Sequence, residues 1–154
     1  MRKRSKYKPK RIILDTMSWL MSGFIKMTDT KEANTIIRTR NHMSLNMLRT
    51  GKASAVEVGE LINAFNMAEA LVATVNLGSD YAEEIATAQA SLKSLIERWK
   101  KTKRFVLTAK ELAAIELGMV IHDAQLDAST VNDIEQSINW EQKMIRAGKV
   151  VRCD

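Results

Sequence analysis

The chain has 154 residues with one proline, six glycines, one cysteine and a formal net charge of +6. That suffices for one domain around one core, favours helix, and leaves no pair of cysteines for an internal disulfide. With two histidines and no stretch approaching about 18 apolar residues, the sequence also excludes most multi-histidine metal sites and membrane-spanning helices.

Residues 1–11 form the first unit. Arg2, Lys3, Arg4, Lys6, Lys8, Lys10 and Arg11 are seven bases without one acid, and no large aliphatic side chain accompanies them. Such a segment cannot bury enough apolar surface to order itself, so a disordered basic arm is expected. The remaining 12–154 should form a single helical domain. Its 17 bases nearly balance its 18 acids, so the whole positive excess belongs to the arm.

Residues 12–25 carry Ile12, Ile13, Met17, Leu20, Met21 and Phe24 at spacings that predict a short amphipathic helix, with Gly23 as its stop. The basic arm ahead of Ile12–Leu14 imitates a signal peptide. Asp15, Thr16 and Ser18 interrupt the apolar run and no small-residue cleavage site follows, so the expected location is the cytoplasm of a bacterial host cell. Asp29-Thr-Lys-Glu32 has the form of a capping box opening a half-buried helix that reaches Thr50 and ends at Gly51. Ser54-Ala-Val-Glu57 is a second box, for a helix to about Leu77 closed by Gly78 and apolar almost all round.

Ser79 or Asp80 should cap the next helix. Its seam of Tyr81, Ile85, Ala88, Leu92, Leu95 and Trp99 fits a bundle edge or a dimeric coiled coil. Thr108-Ala-Lys-Glu111 is a third box. Behind it, Leu112, Ile115, Met119, His122 and Leu126, widened by Ala113, Ala114, Leu117, Ile121 and Ala124, predict a helix buried on most of its circumference. The last helix restarts at Ser129 or Thr130, carries Val131, Ile134, Ile138 and Ile145, and stops at Gly148. The fold expected is all-α: an up-and-down bundle of about five main helices, with the short N-terminal helix and the arm in front of it.

No constellation supplies a catalytic residue, a metal site or a cofactor loop. A nucleophile–base pair, an HExxH, a paired CxxC and a Gly-rich phosphate loop are all lacking, so a non-enzymatic protein without cofactors is expected. His122 shares a face with Leu112, Ile115 and Met119 and suits a hydrogen-bonded core residue. Glu116, Asp123 and Asp127 share another face and suit solvent. A divalent ion there would need ligands from a second helix, such as Glu60, Asn63, Asn66 or Glu69. Ala114 and Gly118 echo the small residues of a helix-turn-helix, but Met119–Leu126 continues as helix where a turn is required.

The nucleic-acid signal lies elsewhere. Tyr7 sits among the bases of the arm. Lys100, Lys101, Lys103 and Arg104 form a second cluster flanked by Arg98, Trp99 and Phe105. Clustered bases hold phosphates and aromatics stack on nucleobases. Trp99 belongs to the core seam, which argues against its being free to stack.

RKRSKYKPK at 2–10, NAFNMAEAL at 63–71 and RFVLTAKELAAIELGMVIHDAQLDAST at 104–130 resemble short helical proteins encoded by proteobacterial phages and integrated mobile elements. That resemblance implies a mobile-element regulator and brings no catalytic residues with it. The expectation is a regulatory protein binding DNA or RNA through its arm. The alternative is a helical module that inhibits or adapts a host protein, and a homodimer is compatible with either.

Overall fold

A computed structural model describes residues 27–149. The expected basic arm and the helix over 12–25 lie outside the described residues. A 3₁₀ turn, Met27–Asp29, leads into α1 (Lys31–Arg49) and α2 (Ala55–Val75). A second 3₁₀ turn, Ser79–Tyr81, precedes α3 (Ala82–Thr102), α4 (Ala109–Ala128) and α5 (Val131–Arg146). Over the described residues the protein is an all-α bundle of five main helices.

Local chemistry sets most of the boundaries. Ser54 and Glu57 close a reciprocal box at α2, as do Thr108 and Glu111 at α4 and Thr130 and Asp133 at α5. The box expected at Asp29–Glu32 does not form. Thr30 Oγ1 donates instead to the Met27 carbonyl at 2.7 Å, inside the 3₁₀ turn, and α1 starts without a side-chain cap. Asn76, left-handed at φ 56°, ends α2 before Leu77, and Gly78 opens the following turn. The start of α3 likewise has no Ser79 or Asp80 cap, because those residues are in that turn.

The centre of the bundle is α2, which touches each of the other four helices. Its Val58, Leu61 and Phe65 meet Leu45 and Leu48 of α1, Ala88, Leu92 and Leu95 of α3, and Ile115 and Met119 of α4. Each fully buried Leu or Phe contributes about 1.5–3 kcal/mol of transfer free energy. The seam of α3 therefore faces this core, although Tyr81 at its start is exposed and Trp99 at its end is half-buried.

Burial on α4 is narrower than its composition suggests. Ile115, Met119, Ile121, His122 and Leu126 are inside, whereas Leu117 is 50 % and Val120 66 % exposed, with Ala113 and Ala124 beside them. A helix between two neighbours presents one sector to solvent whatever residues occupy it. Ile138 of α5 is exposed for the same reason.

Between α1 and α4 runs a row of ion pairs in antiparallel register. Arg49 Nη2 donates to Glu116 at 2.6 Å, His42 Nε2 meets Asp123 at 2.7 Å, and Arg38 reaches Asp127 as well as the Asp123 carbonyl. The three acids of α4 thus lie on a solvated face, as expected, and there meet basic partners on α1. Glu60 pairs with Arg40. The two helices are locked in direction by this row more than by energy, since exposed pairs contribute at most about 1 kcal/mol each.

Candidate nucleic-acid interface

The second basic cluster lies at the corner where α3 ends and α4 begins. Lys100 and Lys101 occupy the last turn of α3, where positive charge complements the helix dipole. Lys103 caps that helix in the left-handed conformation at φ 56°, its N–H donating to the Trp99 carbonyl at 2.7 Å. The chain then reverses through Arg104. All four bases are exposed, and among the described residues none takes part in an ion pair.

Two devices hold the corner in shape. Arg98 donates from Nη1 and Nη2 to the two carboxylate oxygens of Glu111, at 3.0 and 2.5 Å, and from Nη1 to the Val106 carbonyl at 2.5 Å. Glu111 simultaneously accepts the Thr108 N–H at 2.8 Å, so a single carboxylate completes the α4 cap and ties it to α3. The Arg98 guanidinium beside it holds the Glu111 carboxyl below the usual carboxylate range. The second device is aromatic. Trp99 and Phe105 stack with centroids 5.4 Å apart and planes 3° from parallel, and Lys103 Nζ stands 4.8 Å from the Trp99 ring centroid.

Trp99 is therefore engaged by Phe105 and Lys103. The expectation that it is not free for a nucleobase stands for a different reason from the one expected: it is half-buried at the corner and stacked, rather than enclosed by the core. Neither the Arg98–Glu111 clamp nor the Trp99–Phe105 stack was legible in the sequence, because each depends on how sharply residues 103–108 turn.

Charge is distributed along the bundle axis. The end with the α3–α4 corner also carries Lys52, in the α1–α2 link, and Lys110, at the start of α4. The opposite end carries Asp29, Glu32, Asp80, Glu83, Glu84, Asp127 and Asp133 with Lys31 among them, while Glu57 and Glu111 lie at the basic end in the capping boxes. The remaining expected interface residues, Arg2, Lys3, Arg4, Lys6, Tyr7, Lys8, Lys10 and Arg11, lie outside the described residues.

The metal alternative gains nothing from the geometry. Among the described residues no group of three or more His, Cys, Asp or Glu side chains could hold an ion. His122 is buried, 1 % exposed, in the core position expected of it; its Nδ1 makes no well-formed hydrogen bond, and the side chain nearest to providing one is Gln125. Burial pushes its imidazole down to about 4, so it is neutral at pH 7. No helix among the described residues is long and apolar enough to cross a membrane. Comparison with protein-family models, with curated proteins and with solved structures gives no match to this chain.

Proposed function

We propose that this protein is a non-enzymatic regulator of the phage or mobile-element kind. It binds nucleic acid through the arm of residues 2–11, assisted by the α3–α4 corner. The observation that supports this reading is the corner itself. Lys100, Lys101, Lys103 and Arg104 stand exposed within five consecutive residues, while the acid facing them across the turn, Glu111, is already taken by Arg98. On the acidic helix α4, Glu116 and Asp127 are likewise paired with Arg49 and Arg38, which lessens their repulsion of a phosphate backbone. In this reading the protein acts in the cytoplasm of a bacterial cell.

The test is a titration of the full chain with duplex DNA and with single-stranded RNA at several salt concentrations. For duplex DNA each phosphate neutralised contributes about 0.9 to the log–log salt slope, and a slope of about −3 to −5 is expected. Deleting residues 2–11 should remove most of it with little change in the unfolding midpoint. Replacing Lys100, Lys101, Lys103 and Arg104 together by Ser should remove a further part. Absence of salt-dependent binding at about 50 mM salt, where such contacts are strong, would exclude the reading.

A second reading has its own observation. The exposed stripe of Ala113, Leu117, Val120 and Ala124 on α4 is uncharged and spaced for helix packing. It favours a module that docks a host protein or a second copy of itself. Leu117→Ser with Val120→Ser would abolish such docking and leave nucleic-acid binding intact.

A further inference from the structure

A cavity of about 270 Å³ opens beside α1, between α2, α5 and the C-terminal part of α4. Its interior and its mouth differ in chemistry. Inside are Ala64, Leu126, His122 and the Asn41 side chain, all buried, with Ile37, Met67 and Ile134 half-buried around them. At the mouth are Arg40 and Glu60, whose side chains are 62 % and 29 % exposed and whose charged atoms approach only to 3.7 Å. Such a pair is too long for a hydrogen bond and contributes little in water.

We propose that this cavity binds a free aliphatic α-amino acid, its ammonium on Glu60, its carboxylate on Arg40 and its side chain among Ile37, Ala64, Met67 and Leu126. Three features select that class. Opposite charges stand side by side at the mouth and match the two adjacent charges of a zwitterion; an anion or a cation alone would leave one of them facing a like charge. The walls behind them are mostly apolar, with His122 and Asn41 set among the aliphatics. Its volume of about 270 Å³ exceeds the roughly 150 Å³ in which benzene can bind, so there is room for a ligand the size of leucine, isoleucine or methionine. Because burial keeps His122 uncharged, it presents a neutral wall to the ligand. Neither Arg40 nor Glu60 belongs to the basic corner, so amino-acid binding and nucleic-acid binding can be lost separately.

Isothermal titration of the full chain at pH 7 with L-leucine, L-isoleucine and L-methionine tests the site. At least one should saturate a single site with a dissociation constant of about 1 mM or below, the range open to a ligand of this size. Glycine should give no binding. 4-Methylpentanoate, which lacks the ammonium, and 3-methylbutylamine, which lacks the carboxylate, should bind at least about tenfold more weakly. Arg40→Gln and Glu60→Gln should each weaken binding by a similar factor. Both side chains are on the surface and only loosely paired, so thermal melts of the two variants should match the parent and exclude misfolding as the cause. Amide shifts on adding ligand should centre on Asn41, Ala64 and Ile134. Failure of all three amino acids to saturate, equal binding of the two fragments, or parental affinity in both variants would each overturn the assignment.

Discussion

Gly118 and Ala88 meet where α4 packs on α3, so closely that a Cβ added to Gly118 would stand 2.8 Å from the Ala88 Cβ. The same atom would lie 2.8 Å from Phe65 Cε1, in the middle of the core. Alanine at 118 gains about 1 kcal/mol in helix propensity but forces apart a packed three-helix contact, which typically costs about 1–3 kcal/mol. Gly118→Ala should therefore destabilise by about 1–2 kcal/mol in urea melts. A variant as stable as the parent would mean that the helices are not in such close contact.

Two aliphatics four residues apart on α4 should answer differently to truncation. Ile121, 7 % exposed, packs on Ala68 and Ile85, so Ile121→Ala should cost about 2–4 kcal/mol. Leu117, half exposed, should cost less than about 1 kcal/mol. Equal losses would place both in the core and remove the exposed stripe.

That contrast marks the limit of what the sequence could tell. Periodicity identified α4 and the buried set Ile115, Met119, His122 and Leu126, and capping chemistry fixed its start at Thr108. On a helix apolar around most of its circumference, however, period alone does not say which sector a neighbour covers, and Ala113, Leu117 and Ala124, expected inside, lie on the exposed one. The pairing of Glu116, Asp123 and Asp127 with Arg49, His42 and Arg38 needed the register between two helices about 80 residues apart in sequence. The Arg40–Glu60 mouth was equally hidden, because no local signal links a residue of α1 to one of α2. Local rules succeeded where their partners lay within four residues. They failed at Asp29–Glu32, where Asp29 closes the 3₁₀ turn and the N-cap position falls on Thr30, whose hydroxyl donates to Met27.

Stability should fall with acid in two stages. His122 is neutral in both folded and unfolded chains above about pH 6.5 and has no effect there. Below that, the unfolded chain takes up a proton that the folded chain refuses until about pH 4, so the unfolded state gains. The full loss is on the order of 3 kcal/mol. Glu111 has the opposite origin but the same direction at lower pH. Its lowered carboxyl stabilises the fold above the ordinary carboxylate range, and that contribution disappears as pH drops through its depressed value. Urea midpoints measured from pH 7 to pH 4.5 should decline in the parent and much less in His122→Gln. Parallel declines would assign the acid sensitivity to other groups.

Lys103 tests whether the basic corner and its aromatic stack act together. Its left-handed conformation costs a non-glycine residue about 1–2 kcal/mol, whereas an exposed cation over a tryptophan returns about 0.5–1 kcal/mol. Lys103→Gly relieves the first and forfeits the second, while the added freedom of glycine in the unfolded chain opposes the relief. It should remain within about 1 kcal/mol of the parent. Lys103→Val keeps the strained backbone, adds a β-branch and loses the cation, so it should be clearly less stable than Lys103→Gly. Binding separates the residue from its neighbours in a second way. Lys100 and Lys101 extend from the last turn of α3 without such a contact, so replacing either by Gln should reduce the DNA salt slope by about 0.9 if it holds a phosphate. The Lys103 ammonium is held over Trp99, and its removal should change the slope by distinctly less. A full phosphate's loss for Lys103→Gly would show that the ammonium leaves the ring on binding. Quenching or enhancement of Trp99 emission as DNA is added, followed in a chain whose other two tryptophans are replaced by Phe, would then report the same movement directly.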